Sequence, residues 1–238
     1  MKCLVVGGSS GIGSKFIEVY GQKYDELCVV GRRESLSAPQ SELVSAYHSL
    51  DLSDSCQVNN FIISNTICFD KILFSAGVLT NNPLMVFDAE KFVRDVAVNL
   101  TATGLLIGGL NRRKNIARDA SIVIMSSING AVRGSKGCVG YASAKAGLLG
   151  LVKVAANELG KRGIKVNCIS PGMVETPLIE GLNHISDEKI AADKLRYPLN
   201  SRYASSQEIA ETINYLFEHN TFITGQNLII DGGHSIAG

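Results

Sequence analysis

Residues 2–13 read KCLVVGGSSGIG, a short apolar run followed at once by a glycine-rich turn. The run from Lys2 to Val6 is typical of a buried strand, and the amphipathic segment after the turn is typical of a helix. The glycines allow a sharp turn that brings backbone amides close to a diphosphate, and a helix N-terminus favours negative charge. A glycine-rich turn is often an ordinary loop, but its place between a strand and a helix predicts a nucleotide site.

The rest of the chain alternates strand-like and helical patterns. Strands are predicted at Lys2–Val6, Leu27–Val30, Ser45–Leu50, Lys71–Phe74, Ser121–Met125, Lys165–Ile169 and Asn227–Ile230. Helices are predicted at Ile12–Gln22, Ser55–Ile63, Ala89–Leu110, Tyr141–Leu159 and Gln207–Phe217. Continuous apolar strands separated by amphipathic helices indicate the α/β class, here a doubly wound parallel sheet of about seven strands with helices on both faces.

Length and composition favour one domain over residues 1–238, although the length is also compatible with two small domains. The segment 173–200, with Pro177 and Pro198, is expected to be a loop with short helices that forms a lid over the substrate. A formal net charge of +1 argues against a nucleic-acid partner. No apolar run is expected to span a membrane, and the first strand leaves no room for a signal peptide, so we expect a cytoplasmic protein.

The cysteines and the basic run are given structural interpretations. The six cysteines form no CxxC pair and are expected to be reduced and structural. The basic run at residues 111–114 is interpreted as a solvated helix end.

Unusual residues follow one predicted strand after another. They are the turn 7–13, then Arg32 and Arg33, Asp51, Ser75 to Gly77, Ser127, and finally Pro171, Gly172 and Thr176. In a parallel sheet, ligands bind beyond the carboxyl ends of the strands. Six such positions in order predict one site at that edge.

Tyr141 and Lys145 form a Y-x-x-x-K segment, with Ser127 fourteen residues upstream. Residues four apart on a helix share a face, so the phenol and the ammonium are expected in one pocket. A cation beside a phenol favours phenolate, which predicts a lowered Tyr141 pKa and an acid/base role. Taken alone, the pattern also fits a surface helix that carries one Tyr and one Lys.

Taken together, these motifs resemble the short-chain dehydrogenase/reductase family, of the 3-oxoacyl-acyl-carrier-protein reductase-like type. The resemblance runs from Lys2 to Gly233 and rests on motifs that occur in order: GGSSGIG, DLSD at Asp51, SAG at Ser75, VNL around Asn99, MSSING around Ser127, YASAK at Tyr141, NCISPGMVET at 167–176 and ITGQNLIIDGG near the end. It implies a single-domain Rossmann-type fold and an enzyme that transfers hydride between NADP(H) and a carbonyl or alcohol.

The resemblance also assigns roles to residues. Tyr141 would be the general acid/base, Lys145 would hold the nicotinamide ribose, Ser127 would hydrogen-bond the substrate oxygen, and Asn99 would anchor a proton-relaying water. Positioned donors are most valuable where charge develops on that oxygen. The cofactor would contact, besides Asn99, Tyr141 and Lys145, the residues Gly7, Ser9, Ser10, Gly11, Ile12, Gly13, Arg32, Arg33, Asp51, Leu52, Ser75, Ala76, Gly77, Pro171, Gly172, Val174 and Thr176. Asp51 and Leu52 would border the adenine, and Thr176 would reach the carboxamide or diphosphate.

Cofactor choice depends on the end of the second strand. NAD enzymes usually place Asp or Glu there, whereas this chain has Gly31 followed by Arg32 and Arg33. Two guanidiniums suit a 2'-phosphate by charge and fork geometry, so NADP is favoured. The alternative is that the arginines form only a solvated turn.

Three departures from the family pattern stand out. Val6 and Ser75 replace a Thr and an Asn, which predicts a lost structural hydrogen bond between the first and fourth strands. The spacing from Ser127 to Tyr141 is one residue longer than usual, so Ser126 is an alternative catalytic serine. Ser127 is preferred because Gly130 follows it at the family's interval.

The substrate is not fixed by these motifs. The candidates are a 3-oxoacyl thioester on an acyl carrier, a sugar or polyol, or another small ketone; a catalytically idle NADP sensor is the alternative from another class. Apolar lid residues suit a partly apolar ligand: Leu178, Ile179, Leu182, Ile190 and Tyr197, with His184 among them. Arg118, Arg133, Lys136 and Arg162 could receive a carrier protein or a phosphorylated substrate, but are interpreted as solvated charges. The long apolar stretches Val93–Leu110 and Ala144–Leu159 indicate self-association, and the resemblance implies a closed homo-oligomer, a homotetramer or homodimer.

Overall fold

The computed structural model describes residues 1–177 and 186–237. Its strands are β1 (Lys2–Val6), β2 (Glu26–Gly31), β3 (Ala46–Ser49), β4 (Phe69–Phe74), β5 (Ile116–Met125), β6 (Lys165–Pro171), β7 (Val174–Glu175), β8 (Ala204–Ser205) and β9 (Asn227–Ile230). Its α-helices are α1 (Gly11–Tyr20), α2 (Ala38–Ser41), α3 (Ser55–Ser64), α4 (Ala89–Val96), α5 (Ala102–Arg112), α6 (Ile128–Ala131), α7 (Val139–Leu159), α8 (Asp187–Lys194) and α9 (Ser206–Glu218).

Seven strands form one parallel sheet in the order β3-β2-β1-β4-β5-β6-β9. From β1 the chain adds β2 and then β3 on one side of the sheet. It then crosses to the other side of β1, where β4, β5, β6 and β9 follow in order. The carboxyl ends of β1 and β4 therefore flank a topological switch point, where such sheets bind ligands. The glycine-rich turn and Ser75 lie at this point.

Two apolar layers cover the sheet, and β1 shows how the sequence divides between them. Cys3 and Val5 are buried in the layer under α1 and α9, whereas Leu4 and Val6 are buried in the layer under α3, α5 and α7. Alternate strand residues point to opposite faces, so both faces must be apolar in a sheet covered on both sides. The predicted doubly wound fold is confirmed.

The prediction of one continuous α-helix at Ala89–Leu110 is wrong. The structure divides it into α4 and α5 by a π-helical turn at Ala97–Thr101, which contains the buried Asn99. The Asn99 side chain bonds back to Asp95 O at 2.8 Å and across to Val78. A π turn is common where a helix serves a functional site, and the apolar periodicity carries no signal for it.

The expectation that no apolar run could span a membrane is too strong on length and composition alone. The helical stretches Ala89–Arg112 and Val139–Arg162, of 24 residues each, are both long and apolar enough. Each has 44% of its apolar window buried inside the protein, and one carries the buried Lys145. Helices that cover a sheet pass the same test, so these stretches are interpreted as core helices.

The segment predicted as a lid contains the helix α8 and the short strand β7, which pairs in parallel with β8 just beyond the segment. Tyr197 is buried, and its hydroxyl accepts the Met173 N–H at 3.1 Å, which ties the two ends of the segment together. Leu178, Ile179, Leu182 and His184 lie outside the described residues. The lid therefore stays a prediction.

Candidate active site

A cavity of about 810 Å³ runs along the carboxyl edge of the sheet. Most residues predicted for the site line it, namely Gly7, Ser9, Ser10, Gly11, Ile12, Arg32, Arg33, Asp51, Leu52, Ser75, Ala76, Gly77, Ser127, Tyr141, Lys145, Pro171, Gly172, Val174 and Thr176. Gly13 and Asn99 are not among the lining residues. The structure thus brings nearly all of these positions to one cleft.

Two glycines of the glycine-rich turn lie where a side chain would not fit. Gly7 has a φ of +93°, and a Cβ built on it would lie 2.3 Å from the Ala76 amide nitrogen. A Cβ on Gly13 would lie 2.4 Å from the Gly7 carbonyl oxygen. Only glycine allows such close approach of backbone to backbone. The start of α1 is thereby held against β1 and β4, with its N-terminus directed to the cavity.

The predicted loss of a hydrogen bond between β1 and β4 is wrong. The Ser75 hydroxyl donates toward Val6 O at 3.1 Å and Gly7 O at 3.2 Å. The backbone N–H groups of Ser75 and Ala76 also donate to Val6 O, at 2.8 and 2.9 Å. The short Ser75 side chain can reach these carbonyl oxygens because β1 and β4 are adjacent in the sheet.

At the end of β2, Gly31 lies against two hydroxyl groups. A Cβ at this position would lie 2.7 Å from the Tyr47 hydroxyl oxygen and 3.0 Å from the Ser9 hydroxyl oxygen, so a side chain here would require Tyr47 and Ser9 to shift. The Tyr47 hydroxyl donates to Arg33 O at 2.6 Å and fixes the backbone there. Tyr47 has no recognisable signal in the sequence. Arg32 and Arg33 are exposed and face the cavity.

Asp51 is held in place by the turn that follows β3. Its carboxylate accepts the Ser53 N–H at 2.9 Å and the Ser53 hydroxyl at 2.7 Å. The backbone bond from Ser53 is the main cause that lowers the pKa of Asp51. Asp51 is therefore a fixed anion at the distal end of the cavity, next to Leu52.

Tyr141 and Lys145 lie one turn apart on the buried face of α7, with side chains 8% and 4% exposed. The Lys145 ammonium lies 5.5 Å from the centroid of the Tyr141 ring and donates to Met125 O at 2.7 Å. It therefore sits over the ring and against the end of β5. Both side chains reach the cavity, as predicted from their spacing.

The expected lowering of the Tyr141 pKa is not found. Burial raises the pKa of Tyr141 to about 12, and the hydrogen bond with the Ser127 side chain offsets this only in part. Burial also lowers the pKa of Lys145 to about 8. Desolvation dominates both shifts because each group is enclosed by protein. At neutral pH both groups carry their protons.

The two candidate serines have different surroundings. Ser126 is 4% exposed, and its hydroxyl donates to Lys145 O at 2.8 Å, which ties β5 to α7. Ser127 is more exposed, faces the Tyr141 hydroxyl and accepts the Asn129 N–H at 3.1 Å. This geometry favours the preferred Ser127 over Ser126.

Asn99 holds the loop after β4 against the site. Its side-chain amide donates to Val78 O at 2.8 Å, and its oxygen accepts the Val78 N–H at 3.2 Å. A Cβ on Gly77 would lie 3.1 Å from Asn99 Oδ1 and 3.6 Å from Lys145 Nζ. Asn99 is thus close to Lys145 behind the cavity wall, although its own polar atoms are already paired.

Asp95, one turn before Asn99, was missed by sequence reasoning. It is fully buried; one carboxylate oxygen accepts the Thr80 hydroxyl at 2.9 Å, and the other has no partner. Burial raises the pKa of Asp95, and hydrogen bonds from Thr80 and from the backbone of Tyr141 oppose that shift. Asp95 therefore links the loop after β4 to the start of α7.

The far end of the cavity is formed by the segment after β6 and by the C-terminal region. Thr176 packs beside the glycine-rich turn, since a Cβ on Gly11 would lie 3.6 Å from its methyl carbon. The His234 ring is stacked on Tyr197 at 4.5 Å between centroids. Several lining residues were missed by sequence reasoning, among them Lys189, Asp193, Tyr203 and His234.

The four basic residues considered at the cleft mouth separate into two groups. Arg133 and Lys136 line the cavity. Arg162 lies at the opposite edge of the sheet, where it donates to Asn111 Oδ1 at 2.6 Å and contacts Ile116 O. Arg118 is exposed near the start of β5. The interpretation as solvated charges therefore does not fit Arg133, which is half-buried.

The described residues contain no cluster that could hold a metal ion and no disulfide. A nicotinamide dinucleotide fits the donor set, because the turn offers backbone amides and a helix N-terminus to a diphosphate. The opposite end of the same cavity offers a phenol, an ammonium and a hydroxyl to a reacting oxygen. Fold and site together define a nicotinamide-dependent oxidoreductase.

Comparison with known proteins agrees with this class. Residues 7–235 match the family model described as enoyl-(acyl carrier protein) reductase. The 3-oxoacyl-[acyl-carrier-protein] reductase of Chlamydia trachomatis is 32% identical over 97% of this chain and 95% of its own length. A short chain dehydrogenase family protein from Francisella tularensis is 29% identical, with a TM-score of 0.89 over 99% of this chain and 98% of its own. A 4-hydroxyisoleucine dehydrogenase mutant complexed with NADH and succinate is 26% identical, also with a TM-score of 0.89, over 99% of each chain.

The chain belongs to the short-chain dehydrogenase/reductase family. It is an oxidoreductase that acts on a carbonyl or alcohol, and the family uses a nicotinamide cofactor.

Proposed function

We propose that the chain is an NADP(H)-dependent carbonyl reductase, with a 3-oxoacyl thioester as the first candidate substrate. The observation that carries the proposal is the meeting of Tyr141, Ser127 and Lys145 at one end of the cavity, with the glycine-rich turn at the other. The thioester is suggested by the Chlamydia trachomatis relative. A sugar, polyol or other small ketone is the alternative.

The proposed roles follow from the protonation states and contacts. When bound, the nicotinamide supplies the hydride. Tyr141 keeps its proton at neutral pH because burial raises its pKa to about 12, so it can donate that proton to the substrate oxygen. Ser127 shares the hydrogen bond with that phenol and stabilises the developing charge. Lys145 holds positive charge beside the ring, and Asn99 keeps the loop at Gly77 in position.

The preference for NADP(H) is supported by the end of β2. Gly31 stands where an acid would bind the ribose hydroxyls, and two exposed guanidiniums follow it at the cavity wall. Charge-assisted bonds from arginine suit a phosphate. Since one of the solved relatives was obtained with NADH, cofactor choice has to be measured for this chain.

The catalytic role is tested by Tyr141→Phe, which removes the proton donor and keeps the ring. We expect turnover of a ketone panel, followed by NADPH absorbance, to fall by about 10²- to 10⁴-fold, while NADPH binding measured by fluorescence is unchanged. Tyr24→Phe is the matched control, because Tyr24 is equally buried at 8%, lies away from the cavity and has an unpaired hydroxyl. Retention of substantial activity by Tyr141→Phe would refute the role. NADPH binding without turnover of any ketone or alcohol by the wild type would favour the idle sensor.

Cofactor choice is tested by replacing Arg32 and Arg33 with alanine. We expect NADPH affinity to fall at least about tenfold for each lost contact, while NADH affinity changes little. Arg118→Ala is the control, since it removes an exposed guanidinium remote from the cavity. An equal loss for both cofactors would show that the arginines do not recognise the phosphate.

The remaining expectations on partners and location are also proposals. We expect a small-molecule carbonyl substrate, either free or presented on an acyl carrier, and no nucleic acid. The six free cysteines fit a reducing, cytoplasmic compartment.

A further inference from the structure

Arg133 lies in the wall of the cavity and is only half-exposed. One arm of its guanidinium contacts His234 Nε2, and the other donates to the Ser135 hydroxyl at 3.4 Å. Ser135 in turn donates to Asn129 Oδ1 at 2.7 Å. A guanidinium has only donors, so His234 Nε2 must be the acceptor. The other ring nitrogen, Nδ1, lies 3.3 Å from Arg196 O.

No carboxylate neutralises Arg133 within the described parts of the chain. Asp193, which lines the same cavity, accepts the Tyr203 hydroxyl at 3.0 Å and pairs with Arg196 at 3.5 Å. Asp231 accepts the backbone N–H groups of Gly233 at 3.0 Å and Ser235 at 2.7 Å. Both of the acids in this region are therefore occupied by other donors.

Two more cations face the same cavity. Lys136 and Lys189 line it, and neither makes an ion pair with any described residue. A half-buried charge without a partner is costly unless a ligand supplies the opposite charge. His234 and Ser135 orient the guanidinium through these contacts, and because neither is an acid, they leave its positive charge uncompensated.

We propose that Arg133 binds an oxyanion of the substrate, a carboxylate or a phosphate, at a distance from the reacting carbonyl, and so selects anionic over neutral carbonyl compounds. The inference rests on the proposed reductase function and adds a specificity-determining residue to it. Arginine is suited to this task because its fork matches the oxygen atoms of carboxylates and phosphates. Lys136 and Lys189 strengthen the attraction at longer range.

The two sources of the oxyanion are separated by two matched substrate pairs. The first pair is acetoacetate and its methyl ester, which differ in the carboxylate. The second pair is 3-oxobutanoyl-4'-phosphopantetheine and 3-oxobutanoyl-pantetheine, which differ in the phosphate. For the wild type, kcat/KM with NADPH should be at least about tenfold higher for the anionic member of one pair. The pair that shows this preference identifies whether the bound oxyanion is a carboxylate or a phosphate.

Arg133→Gln should bring this ratio close to one, chiefly through KM of the anionic member, while the neutral member keeps its kcat. Arg133→Lys should restore part of the preference, since it keeps the charge and loses the fork. Arg118→Gln is the control and should leave the ratio unchanged. The proposal is overturned if both pairs give the same ratio in the wild type and in Arg133→Gln while reduction proceeds.

A binding measurement covers the case in which none of the four ketones is reduced, which would count against the chosen substrates of the proposed function. In the presence of saturating NADP⁺, acetate or inorganic phosphate should raise the melting temperature of the wild type. The same probes should not raise that of Arg133→Gln. Equal responses of the two proteins would overturn the anion site independently of turnover.

Discussion

Replacement of Lys145 by methionine should change how stability depends on pH. Lys145 is 4% exposed, and burial lowers its pKa to about 8 from an ordinary value of 10.5. A depressed lysine pKa means that the folded state binds the proton less tightly than the unfolded state. Stability therefore rises as the pH increases from about 8 toward 10.5, because only the unfolded state still holds the proton there. Methionine has a similar length and no proton to lose.

The shift gives the magnitude. A fall of the pKa from 10.5 to about 8 corresponds to a penalty of roughly 3 kcal/mol when the group is protonated in both states. At pH 9.5 most of this penalty is gone, so the wild type should gain about 2 kcal/mol relative to Lys145→Met between pH 7 and pH 9.5. The lost hydrogen bond to Met125 O shifts the variant by a constant amount, which the comparison across pH removes.

The assay is urea unfolding of both proteins without nucleotide at pH 7, 8, 8.5 and 9.5, with the free energy of unfolding compared at each pH. This window stays below the pKa of Tyr141. Lys153→Met is the matched control, because Lys153 is exposed on the same helix and should show no pH-dependent difference. A flat difference between the wild type and Lys145→Met would show that the ammonium is not desolvated, and the reasoning from burial would be refuted.

Two further predictions concern the serines and the assembly. Ser127→Ala should reduce kcat by about 10²-fold or more with little loss of stability. Ser126→Ala should chiefly lower stability, by about 0.5–1.5 kcal/mol, because it removes the buried hydrogen bond to Lys145 O. The opposite pattern in kcat and urea unfolding would make Ser126 the catalytic serine. Exposed apolar side chains such as Val93 on α4 and Val154 on α7 should be covered in a homodimer or homotetramer, so light scattering should give a multiple of 25.4 kDa, and a monomer at micromolar concentration would contradict this.

Most strands of the seven-stranded sheet could be predicted from the sequence because they are runs of apolar residues bounded by turn residues, whereas the two-residue strands β7 and β8 could not. The order of polar residues at their carboxyl ends predicted the site for a related reason, since parallel strands all end at one edge. Tyr141 and Lys145 were brought together by helical spacing alone. In each case a local pattern determined a position in space.

Other features depend on contacts between distant segments, which a single sequence does not show. The Tyr141 pKa was predicted in the wrong direction because its degree of enclosure depends on the packing of α7 against the sheet. The π-helical turn around Asn99 depends on a loop more than twenty residues away. The contact between Arg133 and His234 joins positions 101 residues apart. Such couplings decide protonation and specificity more than they decide the fold.

The protonation states also bear on the direction of reaction. Donation to a carbonyl oxygen requires a protonated phenol, which Tyr141 holds at neutral pH. Oxidation of an alcohol begins from the phenolate, and forming it at pH 7 costs about 7 kcal/mol if the pKa is about 12. Lys145 can lower this cost only while it is charged, and its pKa of about 8 limits that to neutral and acidic solution. If Tyr141 has its proposed role, we therefore expect these protonation states to favour reduction near neutral pH.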